Sequence, residues 1–237
     1  MLDKYYQLVT NQQDKKAELY IYGDISSWDC EGSKSTSANS LVKSLAELTD
    51  IDNIDVYINS CGGEVGEGLA IYNALKRHSA KVTTYCDGLA ASIASVVFMA
   101  GDERVMSNSS LLFVHNAWTY TAGNASELRK SADDLDKLTK ASINAYLEHV
   151  NIDETELKQL LDDETWLDAT ECIEKGFATS IVKSKSNKTV NQSVKKQILE
   201  KLKLTKEQTV ELPSATEPVA PVQQNLFINL FESLIEK

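Results

Sequence analysis

Residues 87–95, Asp87-Gly88-Leu89-Ala90-Ala91-Ser92-Ile93-Ala94-Ser95, join a β-rich run (81–86) to an apolar helical run (93–100) through a turn of small residues. The helix opens at Ser92. Its unpaired N–H groups and its dipole favour negative charge at that end, and an acyl-transfer oxyanion needs such a place. Further along, the apolar strand 111–114 ends in His115, where a base can face a nucleophile carried by the neighbouring unit. Strand, turn and helix in this order define one βα unit, and the surrounding sequence repeats it.

Residues 17–22 and 54–58 read as strands, and each is followed by a helix, over 37–48 and 66–78. Strand 81–86, helix 92–100 and two short strands near 104–106 and 111–114 come next. Strands alternating with helices at this spacing indicate βαβ units and a mainly parallel sheet. A long helix over 125–150 carries Leu128, Ala132, Leu135, Leu138, Ile143, Tyr146, Leu147 and Val150 on one side. It either projects from the domain towards another subunit or packs on the core. Asp168 and Glu171 form a capping box for a helix that Gly176 closes.

An apolar fraction of 42% over 237 residues suits one sizeable core plus appendages. No stretch reaches the roughly 18 apolar residues of a membrane span, and the first six residues lack the apolar core of a secretory signal. A cytoplasmic location without a membrane partner is expected. Acidic residues outnumber basic ones 35 to 24, for a net charge of −11, which disfavours nucleic acid. Cys30, Cys61, Cys86 and Cys172 lie far apart, with no CxxC and no close histidine, so neither a disulfide framework nor a metal is expected, and no cofactor.

Five segments follow: an N-terminal stretch (1–16), the domain (17–183), a Lys-rich helical segment (184–211), a linker with all three prolines (212–224) and a short amphipathic helix (225–237). Residues 183–211 hold eight lysines against three glutamates, opposite in sign to the domain.

Each chemical candidate has a plainer alternative. Ser92 is either a nucleophile or an N-cap. His115 is either a base or a satisfied core histidine. His78 and His149, at helix ends, read as surface caps. In the acidic run 162–168, Glu164 lies at the edge of an apolar stretch and can orient an imidazole, or the run is a solvated face. Gly62-Gly63 is either a tight turn or, with Ile93, a source of backbone N–H donors.

Taken together, the chain resembles the proteolytic subunit of the Clp protease, and more closely the Clp-related head maturation (prohead) proteases of tailed phages. The likeness covers about residues 17–183. It rests on Tyr57-Ile-Asn-Ser-Cys-Gly-Gly63, Gly88-Leu-Ala-Ala-Ser-Ile93, Asn108-Ser-Ser-Leu-Leu-Phe-Val-His115 and Glu164-Thr-Trp-Leu-Asp-Ala-Thr-Glu-Cys-Ile-Glu-Lys-Gly176. The resemblance implies an α/β fold, the crotonase/Clp-type spiral of ββα units with a projecting handle helix. It implies Ser92 as nucleophile, His115 as general base and acid, and Glu164 as the third member, with Asp163 as substitute. The amides of Gly63 and Ile93 form the oxyanion hole, and Glu64-Val65 and Trp118-Thr119 flank an extended peptide. Heptameric rings stacked as a tetradecamer are implied as well.

The departures are Cys61 in place of the usual proline, Asn116-Ala117 in place of Gln-Pro, and Glu164 in place of aspartate. Residues 1–16 show no clear counterpart of the family's axial gate. The expectation is therefore an ATP-independent serine endopeptidase that cleaves phage scaffold and capsid proteins during head maturation, in the host cytoplasm or the procapsid. The alternative is an ATP-dependent Clp subunit working with a Clp ATPase. A crotonase-type acyl-CoA enzyme, which needs carboxylates at the reacting centre, and a non-catalytic assembly module are readings of other classes. Residues 226–237 are expected to bind capsid or scaffold and to be trimmed.

Overall fold

Two periodicities, two residues in strands and about 3.6 in helices, organise the chain. The computed structural model describes residues 6–11, 13–27 and 35–182. The Lys-rich segment, the proline linker and the terminal helix expected from the sequence lie outside the described residues. In chain order the elements are β1 (Tyr6–Asn11), β2 (Lys16–Tyr22), β3 (Asp24–Ile25), β4 (Ser35–Thr36), α1 (Ala38–Ala46), β5 (Asn53–Ser60), α2 (Val65–Arg77) and β6 (Lys81–Ala91). Then come α3 (Ile93–Phe98), β7 (Glu103–Met106), β8 (Leu111–Val114), α4 (Ala125–Leu147), α5 (Glu154–Asp162), β9 (Thr165–Leu167), α6 (Ala169–Glu174) and β10 (Ser180–Ile181). The result is an α/β architecture, as expected from the sequence.

The main sheet runs β1-β2-β5-β6-β7-β10, with β8 branching from β6 and β9 pairing with β8; all pairs are parallel except β1–β2 and β8–β9. Alternation buries Ala17, Leu19 and Ile21 of β2, Ile54, Val56 and Ile58 of β5, and Val82, Thr84 and Cys86 of β6 on one face. Leu41 and Leu45 of α1, Ile71, Tyr72 and Leu75 of α2 and the whole of α3 join them in one core. The opposite face carries a stack of half-buried tyrosines, Tyr20 on Tyr57 at 4.8 Å and Tyr57 on Tyr85 at 4.9 Å, beside the Lys16–Asp55 ion pair. A parallel sheet covered on both faces shows continuous apolar runs; the alternation in these strands reflects cover on one face only.

The sequence places a turn after residue 86, but the structure carries β6 on to Ala91. Its first half pairs with β7 (Thr83↔Glu103 to Cys86↔Met106) and its second half with β8 (Leu89↔Leu111 to Ala91↔Phe113). Between them the register against β5 shifts, from Ile58↔Cys86 to Ser60↔Ala90. Small residues permit the bulge and the change of partner. The strand therefore delivers Ser92 to the point where β8 ends.

Other boundaries also move. Residues 6–11, expected outside the domain, form β1 and pair with β2. The long helix ends at Leu147, short of residue 150, and its first turn lies exposed behind a capping box of Asn124 and Glu127. His149 is not an exposed cap: it is half-buried, its Nε2 has no hydrogen-bond partner among the described residues, and burial lowers its pKa with help from Arg104 and Lys76. His78 closes α2 through its ring, whose Nδ1 accepts from Ala80 N–H. The Asp168–Glu171 capping box forms as expected. Among the described residues, no helix is long and apolar enough to cross a membrane.

Gly68 of α2 sets the approach of α3. A Cβ there would lie 2.2 Å from Ile93 Cγ1 and 3.2 Å from Ile93 Cβ, and a β-branched side chain in a packed core has little freedom to yield. Glycine to alanine inside a helix ordinarily stabilises by about 0.5–1 kcal/mol. Here Gly68→Ala is expected to destabilise by about 1–3 kcal/mol through overpacking, as measured by denaturant unfolding; a stabilised variant would contradict this packing.

Candidate active site

Ser92 occupies the single residue between β6 and α3. Its backbone is held at φ 54°, ψ −129°, a conformation that costs a non-glycine residue about 1–3 kcal/mol. Two sets of contacts hold it there. Ser92 N–H donates to Phe113 O of β8 at 2.9 Å, and Ser92 O accepts from Ser95 N–H at 2.9 Å. The side chain does not cap the helix, so the N-cap alternative does not describe this serine. Its hydroxyl instead lies 2.7 Å from His115 Nε2.

His115 follows β8 directly. Its ring stacks on Phe113 at 5.2 Å, and Phe113 packs in turn on Trp166 at 4.5 Å. Burial of the imidazole lowers its pKa below the ordinary 6.5, while the Glu164 carboxylate pulls it upward. At neutral pH the ring is thus uncharged, and Nε2 can accept the Ser92 proton.

The antiparallel pairing of β9 with β8 explains why Glu164 comes near. Leu112↔Leu167, Phe113↔Trp166 and Val114↔Thr165 are partners, and the next step of that register sets Glu164 opposite His115. Glu164 is exposed, holds φ +50° and lines the same cleft as Ser92 and His115. Among the described residues no hydrogen bond joins it to the imidazole, so its influence there is electrostatic. Asp163 caps the end of α5 and lies outside the walls of the cleft.

The Gly62-Gly63 turn is brought against Ser92 by two hydrogen bonds on its far edge, Ile25 N–H to Gly62 O and Glu64 N–H to Ile25 O, both 2.8 Å. Parallel pairing with Ile25 turns the N–H of Gly63 the other way, towards the cleft. A Cβ on Gly62 would lie 2.7 Å from Ala91 O and 2.8 Å from Ser92 Cβ, and one on Gly63 would lie 2.0 Å from Ile25 O. With φ of +95° and +145°, only glycine fits both places. The Ile93 amide is the first of α3, where no intrahelical acceptor exists.

The cleft has a volume of about 890 Å³, and Glu64, Val65, Trp118 and Thr119 lie on its walls. Trp118 is 64% exposed. The Glu64 carboxylate is engaged locally: it accepts from Ser27 N–H, Ser27 Oγ and Ser26 Oγ at 3.0–3.2 Å, bonds that lower its pKa. Leu135 and Leu138 of α4 also face the cleft. The sequence placed both on the helix's apolar side, but periodicity cannot say whether that side meets core, solvent or substrate. Ser95 and Tyr146, which contact the Ser92 carbonyl directly and through one another, were missed; no short motif marks a contact 51 residues apart. Of the cysteines, Cys86 and Cys172 are buried, their thiols pushed up to about 11 and 12 by burial, while Cys61 is exposed in the cleft.

The chain is similar to proteins of one known family. A family model described as Clp protease matches residues 8–185. The ATP-dependent Clp protease proteolytic subunit of Deinococcus radiodurans is 32% identical over 155 residues, covering 63% of this chain and 76% of the relative. Proteins of the same name from Bacteroides thetaiotaomicron and Bacteroides fragilis are each 32% identical over 151 residues, which span 69% and 73% of those chains.

The opposing influences on His115 give a direct test. By NMR its imidazole should titrate with a midpoint below 6.5, and Glu164→Gln, which removes the stabilisation of the imidazolium, should move that midpoint further down. An unmoved or higher midpoint would show that Glu164 does not act on the ring.

Proposed function

We propose that this chain, which belongs to the Clp protease family and is a serine peptidase, cleaves peptide bonds with Ser92 as nucleophile, His115 as general base and acid, and Glu164 as the group that stabilises the imidazolium. The observation that carries the reading is the 2.7 Å contact between His115 Nε2 and an uncapped, strained Ser92. As Ser92 Oγ attacks the scissile carbonyl, its proton passes to Nε2. The negative charge that grows on the carbonyl oxygen is met by the N–H groups of Gly63 and Ile93. His115 then returns the proton to the leaving amine, and water repeats the cycle on the acyl-enzyme. An extended peptide lies between Glu64-Val65 and Trp118-Thr119 and pairs with the backbone.

The partner is a Clp ATPase, and substrates reach the cleft as unfolded protein. The names of the relatives support this alternative over an ATP-independent head maturation protease. Copies of the chain assemble into rings through α4, where Leu128 remains 42% exposed on a helix whose first turn lies exposed.

Two measurements test the proposal. Ser92→Ala should lower kcat on a fluorogenic peptide by a factor on the order of 10⁴ or more while leaving unfolding and particle size unchanged; substantial residual cleavage would reject the nucleophile. Wild-type protein should degrade a folded substrate only when a Clp ATPase and ATP are added. Efficient cleavage of scaffold protein without ATPase would instead favour the maturation reading.

A further inference from the structure

The first turn of α3 contains a polar contact that the triad does not use. Ser95 Oγ lies 2.5 Å from Ser92 O and 2.6 Å from Tyr146 Oη. A carbonyl oxygen can only accept, so the single Ser95 hydroxyl proton goes to Ser92 O. The phenol must then donate to Ser95 Oγ, and the chain runs from Tyr146 O–H through Ser95 O–H to Ser92 C=O. Tyr146 sits near the root of α4, fully buried and edge-on to Phe177 at 5.7 Å. Burial raises its pKa and keeps it a donor.

The Ser92 carbonyl and the Ile93 N–H are two ends of one planar peptide group. Fixing the oxygen on the α3 side therefore fixes the direction of the N–H on the cleft side. Successive hydrogen bonds into that oxygen also polarise the amide and strengthen its N–H as a donor. The strained dihedrals of Ser92 make this peptide the local bond with most to gain from rotating. Rotation would turn a carbonyl oxygen towards the place where an oxyanion must sit.

We infer that Tyr146 and Ser95 are positioning residues for the oxyanion hole, holding and polarising the 92–93 peptide through which α4 reaches the reacting centre. The inference rests on the roles proposed for Ser92 and Ile93. It places a demand on α4 beyond assembly, because a shift of Tyr146 would loosen the donor that stabilises the transition state.

The test is a double-mutant cycle on the full-length chain, with Tyr146→Phe, Ser95→Ala and both together. Rates on a fluorogenic peptide are expressed per phosphonate-titrated Ser92, so a misfolded fraction does not enter. Each single variant should lower kcat by about 3- to 10-fold, the range one hydrogen bond supplies, with KM within about twofold. Inhibition by a peptidyl boronate, which mimics the tetrahedral state, should weaken by the same factor. The acid limb of the pH profile should stay in place because His115 is untouched. The double variant should be no slower than Ser95→Ala, since Tyr146 acts only through Ser95. Unchanged kcat in the single variants, losses that multiply in the double variant, or a rise in KM at constant kcat would overturn the inference. Ser92→Ala, with its rate expressed per total chain, separates the two failures: if it is inactive while the Tyr146 and Ser95 variants behave as wild type, the nucleophile stands and only the positioning role falls.

Discussion

The site depends on a strained junction at which strand β6 becomes helix α3 at one residue. A left-handed backbone at Ser92 is unfavourable in isolation, so the surroundings must over-determine it. On one side β8 accepts its N–H through Phe113 O, on another Ser95 donates to its carbonyl, and the Gly62-Gly63 turn packs so close that a Cβ on Gly62 would meet Ser92 Cβ. The strain directs the hydroxyl out of the helix and towards His115. In a relaxed N-cap the same oxygen would bond to its own helix.

Sheet register does much of the remaining work. The change of partner along β6 sets Ser92 beside the end of β8, and the β8–β9 pairing carries Glu164 to the level of His115. The imidazole is partly buried and stacks on Phe113, which favours its neutral form, while the nearby carboxylate favours the charged form that a proton transfer would create. These opposed influences keep the ring available as a base at neutral pH.

Much of this was legible from residue order. The βα alternation, the strand ending at His115, the helix starting after Ser92 and the capping box at Asp168 all follow from periodicity and local chemistry. The continuation of β6 to Ala91 was not legible, because glycine and alanines suit a turn as well as a bulged strand, and only the two neighbouring strands decide between them. Strand β1 was missed for a similar reason: Tyr6 to Asn11 is a short edge segment whose pairing is set by β2. His149 looked like a surface cap from its position at a helix end, yet packing near Arg104 buries it. The Tyr146–Ser95 contact joins residues whose separate patterns read only as core. Tertiary geometry, invisible to local spacing, accounts for each of these misses.

The junction presents one activated hydroxyl. The most direct measurement is the intact mass of the protein after exposure to diisopropyl fluorophosphate, followed by mapping of the modified peptide. One phosphoryl adduct per chain, on Ser92 and absent when His115 is replaced by alanine, is the predicted result. No adduct, or an adduct on another serine with Ser92 unmodified, would contradict the account.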